Sequence, residues 1–279
     1  MTNIVAATAL KILMIGNSFS ISNVHNMPQI CDSMGLKLEL GSLYIGGCTL
    51  KRHWKNVEDA KDGFAPYGYR LYIDGKRVES APDKTNIPEA LKARKWDIVT
   101  IQQGSHESWR PESYSPYGDN LVKTIRELCP TAEIVVQETW SYTPWDERLK
   151  KWGIDQNEMY DKLHDAYAAF AAKHGLRVIP MGKAVQLWRK TLPVKYTADS
   201  IGGDVVGSLK FIPVKGKPGE FTTDGDPFHL NNRGQYLQSL VWTAYLFKAD
   251  VTKCPFLREK TIGEENCRLL QKVACEACK

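Results

Sequence analysis

Ser18 stands where a serine can do chemistry. The apolar run Ile12-Leu13-Met14-Ile15 stops at Gly16, and Asn17-Ser18-Phe19-Ser20 follows before a helix-like pattern. This order reads as a buried strand, a tight turn and a helix N-terminus with a hydroxyl at the junction. Such a serine can cap the helix. It can also be a nucleophile, because the turn exposes its side chain and helix N–H groups favour negative charge beside it. A hydroxyl attacks poorly until a base takes its proton. Asp226-Pro227-Phe228-His229, just ahead of the last long helical pattern, supplies a histidine and a carboxylate three residues apart. Histidine titrates near neutrality, and a carboxylate on its other ring nitrogen fixes the tautomer and steadies the imidazolium. Asp224 has the wrong spacing for that task. His25, His53, His106, His164 and His174 have no matched carboxylate, although His53 and His106 follow the ends of the second and third strands and can line a site there.

The chemistry in view is acyl transfer, which also needs donors aimed at the developing oxyanion. Two further segments end apolar runs with suitable groups. Gly46-Gly47-Cys48-Thr49 ends one, and Gln102-Gln103-Gly104-Ser105 ends another. Either glycine can simply serve a turn with positive φ. Side chains at 102 and 103 point to opposite faces of a strand, so one is expected to face the site.

The elements that must hold these groups alternate. Strands are expected at 11–16, 36–45 (bulged at Gly41), 96–103, 132–138 and 176–180. Helical patterns fall at 24–34, 87–93, within 111–128, and at 156–174, 182–189 and 231–247. Asp74-Gly75 between Tyr69-Arg-Leu-Tyr-Ile and Lys-Arg-Val signals a hairpin with a type I′ turn. Alternating strands and helices imply parallel βαβ units, with ligands beyond the carboxyl ends of the strands. The expectation is one three-layer α/β/α domain over residues 1–279, with a mainly parallel five-stranded sheet. Insertions fall near 51–90 and 193–222, the latter loop-like, and a helical tail near 255–279.

At this point the motifs resemble a known family, the SGNH or GDSL-type hydrolases, which are esterases and lipases on a flavodoxin-like α/β/α fold. Gly16-Asn17-Ser18, Gly47-Cys48-Thr49, Gln103-Gly104 and Asp226-x-x-His229 occur in that family's order, and the whole is similar to a bacterial branch of it. The resemblance implies Ser18 as nucleophile, His229 as base and Asp226 as its orienting group. It implies an oxyanion hole made by the N–H groups of Ser18 and Gly47 and the side-chain amide of Gln103. Many members carry Gly-x-Asn-Asp where this chain has Gln-Gln-Gly-Ser. Some carbohydrate-esterase relatives carry Gln-Gly-Glu there, which Gln103-Gly104 is similar to. Gln102 is the alternative donor.

Composition bounds the partners. Hydrophobic residues make up 43% and charged residues 25%, and the net charge of +5 is spread along the chain, which argues against nucleic acid. No run approaches the ~20 apolar residues of a membrane helix. The stretch MTNIVAATALKILMIG lacks a basic n-region and Lys11 interrupts it, so no signal peptide is expected in the chain as it stands. A periplasmic or secreted location fits a chain whose leader has been removed, and a cytoplasmic one fits otherwise. Seven cysteines exclude a complete internal disulfide set, and the four after residue 250 have no familiar zinc-ligand spacing.

Aromatic residues crowd the loops after the third and fourth strands, at Trp109, Tyr114, Tyr117, Trp140, Tyr142 and Trp145, with Tyr44, Trp54, Tyr67 and Tyr69 near the second. They can anchor loops, or they can stack on sugar rings. The reading is therefore a serine esterase taking small acyl groups, acetyl foremost, from a small-molecule or glycan ester. Gln102, Trp109 and Trp140 are its expected substrate contacts, and no metal or cofactor is needed. Two alternatives remain open on the residues alone: a flavodoxin-like phosphate-binding module, and a carbohydrate-binding protein without turnover.

Overall fold

Ile12, Leu13 and Met14 are wholly inaccessible to water, and Ile98, Val99 and Ile101 nearly so. A strand that is apolar at consecutive positions must be covered on both faces, which is the situation of a parallel sheet between helix layers. The computed structural model, which describes residues 8–192, 203–213, 216 and 221–279, has that arrangement. The strands of its main sheet are β1 (Leu10–Gly16), β2 (Leu38–Tyr44), β3 (Tyr67–Ile73), β4 (Lys76–Arg77), β5 (Lys84–Thr85), β6 (Ile98–Ile101), β7 (Glu133–Gln137) and β8 (Arg177–Ile179). Five of them, in the order β2-β1-β6-β7-β8, run parallel, which is the flavodoxin-like order. The order reverses at β1, so the crevice between β2 and β6 opens at its carboxyl end.

The helices are α1 (Ser18–Ile21), α2 (Met27–Ser33), α3 (Leu50–Asp59), α4 (Ile87–Ala93), α5 (Tyr117–Leu128), α6 (Glu147–Trp152), α7 (Gln156–His174), α8 (Met181–Arg189), α9 (Asn232–Phe247), α10 (Glu259–Ile262) and α11 (Glu264–Ala277). One layer packs α2, α8 and α11 around α9, and the other groups α3, α4, α5 and α7. Most of α9 is buried all round, because the sheet lies on one side and α11 on the other. The long helix α7 begins with a full capping box between Asp155 and Glu158 and ends at Gly175 in the left-handed region, so its limits are set locally.

Several expectations need correction. The segment 24–34 does not make one helix. It divides into a 3₁₀ turn (Ser22–His25) and α2, with Pro28 in the first turn of α2, where its missing N–H costs nothing. Strand β2 has no bulge at Gly41, which pairs in register with Leu13. The glycine is there because a Cβ would lie 2.7 Å from the buried indole of Trp96. The hairpin turn at Asp74-Gly75 has positive φ at both residues, as a type I′ turn requires. Its strand β3 pairs antiparallel with β2 and extends the main sheet.

The segment 193–222, expected to be loop-like, lies partly outside the described residues. Within them it contributes β9 (Val206–Pro213), which pairs antiparallel with β10 (Phe221–Leu230). All seven cysteines are unpaired thiols.

Candidate active site

Register brings the strand ends level. Gly16 pairs with Tyr44, and Ile15 pairs with Ile101, so the turns after β1, β2 and β6 share one rim. Each turn has its own local cause. Asn17 is the N-cap of α1, its Oδ1 accepting from Phe19 N at 2.9 Å. The capping role considered for Ser18 therefore belongs to Asn17, and the Ser18 hydroxyl is left for other work. After β2, Gly47 takes φ +60°, and Thr49 caps α3. The Ser18 and Gly47 N–H groups meet no acceptor among the described residues.

The Asp226–His229 pair arrives from the second sheet. Asp226 pairs with Ser208 and Leu230 with Val206, so Pro227, Phe228 and His229 stand opposite Gly207 alone. Such an irregularity bends a strand and re-aims its side chains. Here it turns His229 toward Ser18. His229 Nε2 lies 2.8 Å from Ser18 Oγ, and His229 Nδ1 lies 2.5 Å from Asp226 Oδ2. The other oxygen of Asp226 accepts the N–H groups of Phe228 and His229, each at 3.0 Å. Burial alone would raise the Asp226 pKa. The bonds from the His229 ring and the two backbone N–H groups outweigh it and hold the carboxyl down at about 2.

The loop carrying the pair is tied to the loop after β7. Thr143 donates to Pro227 O through both its N–H and its hydroxyl, at 3.0 and 2.8 Å. Trp140 donates its indole N–H to Phe228 O at 2.8 Å and stacks on Phe19 at 4.0 Å.

A cleft of about 350 Å³ opens on the pair. Ser18, His229 and Gly47 line it together with Asn17, Tyr44, Gly46, Tyr142, Arg148 and Phe228. Ser105 and His106 complete the wall. Of these, Arg148 and Phe228 escaped the reading of the sequence. Phe228 was visible as part of the Asp-x-x-His spacing, whereas Asp146-x-Arg148 has no spacing that marks it as part of a site.

Four of the expected site residues do not reach the cleft. Gln103 is wholly buried, and its amide is fully used. Its Nε2 donates to the carbonyl and hydroxyl oxygens of Ser113, at 3.0 and 2.9 Å, while its Oε1 accepts the N–H groups of Leu50 and Gly104. It cannot also serve an oxyanion. Trp140 is buried behind His229 as a brace. Trp109 lines a different cavity, of about 690 Å³, beside Lys162, Ala166 and Ala169 of α7. His53, considered as a possible liner, is fully buried under the Gly47 turn, 2.8 Å from Tyr67 Oη, and burial lowers its pKa to about 3.

Gln102 is the fourth, and it has a different use. Buried side-chain amides link α9 to the turn beyond β2. Gln238 Nε2 donates to Gln137 Oε1 at 2.9 Å, and Gln137 Nε2 donates to Gln102 Oε1 at 2.5 Å. Gln102 Nε2 then donates to Asn17 Oδ1 at 2.7 Å, and Asn17 Nδ2 to Cys48 O at 2.9 Å. The last two bonds fix the Ser18 turn against the Gly47 turn. A Gln102→Leu variant removes one of two partners from Asn17 Oδ1, which keeps Phe19 N–H, and one from Gln137 Nε2, which keeps Phe19 O. The expected cost is about 0.5–1.5 kcal/mol for each lost hydrogen bond, read as a lower urea midpoint. An unchanged midpoint would contradict the chain.

The fold is that of the SGNH/GDSL-type hydrolases. A solved acetyl xylan esterase superposes with a TM-score of 0.51 at 10% identity, covering 84% of this chain and 99% of its own. A protein from Parabacteroides merdae described as a GDSL-like lipase gives 0.50 at 14% identity, covering 87% and 97%. The family model described as a domain of unknown function, DUF4886, matches residues 11–199, and this chain belongs to that family. A DUF4886 family protein from Bacteroides uniformis is similar over nearly the whole length, at 28% identity and a TM-score of 0.80, covering 97% of this chain and 95% of its own. No curated protein matches. The matched region includes Ser18, Gly47 and Gln103 and ends before Asp226 and His229.

Proposed function

We propose that this protein is a serine esterase that removes small acyl groups, acetyl foremost, from carbohydrate esters. The observation that carries the reading is the unbroken series Ser18 Oγ, His229 and Asp226, joined at 2.8 and 2.5 Å. Ser18 Oγ attacks the ester carbonyl carbon while its proton passes to His229 Nε2. The carbonyl oxygen becomes an oxyanion, met by the unengaged N–H groups of Ser18 and Gly47. These two donors make the hole without Gln103. His229 then gives its proton to the leaving alcohol oxygen as the C–O bond breaks. Water attacks the acyl-enzyme, returns a proton through His229, and the carboxylic acid departs. With its pKa near 2, Asp226 stays ionised throughout and keeps Nδ1 protonated.

The acyl and alcohol preferences follow from the walls. A cleft of about 350 Å³ has room for a short acyl group and one sugar ring. Tyr44, 36% exposed at the rim, offers a flat face for a sugar. The likeness to an acetyl xylan esterase supports the same direction. The phosphate-binding alternative leaves the Asp226–His229 pair without a task.

The test is hydrolysis by the purified protein of p-nitrophenyl acetate, acetylated xylo-oligosaccharides and p-nitrophenyl palmitate. Acetate is expected from the first two, with kcat/KM for the palmitate at least about tenfold lower, as a short pocket requires. Failure to release acetate from both of the first two would overturn the proposal.

A further inference from the structure

We propose that Arg148 selects for an alcohol that carries a carboxylate beside the ester, as in an O-acetylated uronic acid. This inference rests on the esterase reading and names its substrate more narrowly. His229 must protonate the leaving oxygen, so the wall next to His229 faces the alcohol half of the substrate. Phe228 stands there, its ring 4.1 Å from that of His229, with Tyr142 and Arg148 packed against it, and all three line the cleft.

Arg148 is held as a ready receptor. Its guanidinium carbon lies 4.1 Å from the centre of the Phe228 ring and 4.3 Å from that of Tyr142. Buried Asp146 takes one edge of the guanidinium, with Nε donating to Oδ1 at 2.9 Å and Nη2 to Oδ2 at 2.5 Å. A guanidinium has five N–H donors and two forked edges. The second edge, formed by Nη1 and the remaining Nη2 hydrogen, has no acceptor among the described residues. The Arg148 side chain is 32% exposed and lines the cleft. Asp226 is bonded to His229 and to backbone N–H groups and makes no hydrogen bond with Arg148 among the described residues, although its charge also acts on the guanidinium.

A free fork of two parallel N–H groups matches a carboxylate, and pinning by Asp146 removes most of the ordering cost of binding one. Asp146 also cancels the net charge of the arginine at a distance. Recognition therefore comes from two directed hydrogen bonds and not from a long-range field.

The experiment compares two probes, methyl glucuronoside carrying a 4-O-acetyl group, whose ester adjoins the carboxylate, and the methyl ester of the same uronoside, which removes the charge. Wild-type protein is expected to prefer the free carboxylate by about ten- to a hundredfold in kcat/KM for acetate release, the range of a charge-assisted bidentate contact. Arg148→Gln is expected to bring the ratio near one. Arg148→Lys, which keeps the charge and loses the fork, should recover only a small part of it. A purely structural arginine bracing Phe228 would lower both rates and leave the ratio unmoved.

If wild-type protein hydrolyses both probes with equal kcat/KM, the carboxylate inference fails while the esterase reading stands. If it hydrolyses neither probe, nor p-nitrophenyl acetate, both fail. An acetylated sulfated sugar turned over faster than the uronate would overturn the carboxylate assignment in favour of a tetrahedral anion.

Discussion

Ser18→Ala is expected to lower kcat for p-nitrophenyl acetate by on the order of 10⁵–10⁶, the scale seen when a triad nucleophile is removed. The substitution is a clean one. Asn17, not Ser18, caps α1, and among the described residues the Ser18 hydroxyl bonds His229 alone. The turn, the Asn17–Cys48 bond and the hydrophobic core under them all survive, so the thermal midpoint should stay close to that of the wild type. Loss of activity with retained stability separates the nucleophile from a structural serine. A variant within tenfold of wild-type kcat would mean that the hydrolysis arises elsewhere.

Asp226→Asn is expected to lower kcat by about 10³–10⁴, because an amide in this place favours the wrong histidine tautomer. The amide oxygen can still accept the two backbone N–H groups, so the loop should keep its course. The wild-type carboxyl also leaves a mark on stability. Its folded pKa is depressed to about 2, below its ordinary value near 4, so its stabilisation is present above the unfolded value and is lost as pH falls through about 2. The wild type should therefore lose stability more steeply than the variant between pH 4 and pH 2, which chemical denaturation across that window would measure. Parallel slopes would remove the hydrogen-bonded carboxylate from the account.

The contrast between Ser18 and Gln103 shows what could be read without coordinates. Ser18 follows a buried apolar run and a glycine, so local pattern alone puts it on the carboxyl rim. The five parallel strands were legible for the same reason, since each is a short apolar run between helical patterns. Gln102 and Gln103 follow such a run too, and their opposite orientations were also foreseeable. The missing fact was that both directions lead into protein. Gln102 turns toward Gln137 and α9, and Gln103 turns toward Leu50 and Ser113, each toward one helix layer. Side-chain amides in such places are consumed by the neighbours they meet, and sequence spacing does not name those neighbours. Trp140 illustrates the same limit. Its ring suits a sugar, but it is spent on Phe19 and on the backbone of Phe228.

The β9–β10 pair was illegible for another reason. The segment 193–222 that holds β9 is rich in Gly, Lys and Pro and has no sustained apolar alternation, so nothing marked it as sheet. Yet its irregular register delivers His229 to Ser18. Arg148 was hidden more deeply, because its meaning depends on Asp146, Tyr142 and Phe228 closing around it.

The most direct test of the central claim is labelling of the wild-type protein with a fluorophosphonate, followed by peptide mapping. Attack on phosphorus requires a serine activated by a base, so the adduct reports the nucleophile itself. One adduct is expected, on Ser18, with its formation abolished in Ser18→Ala. An adduct on a different serine, or none at all in protein that hydrolyses p-nitrophenyl acetate, would contradict it.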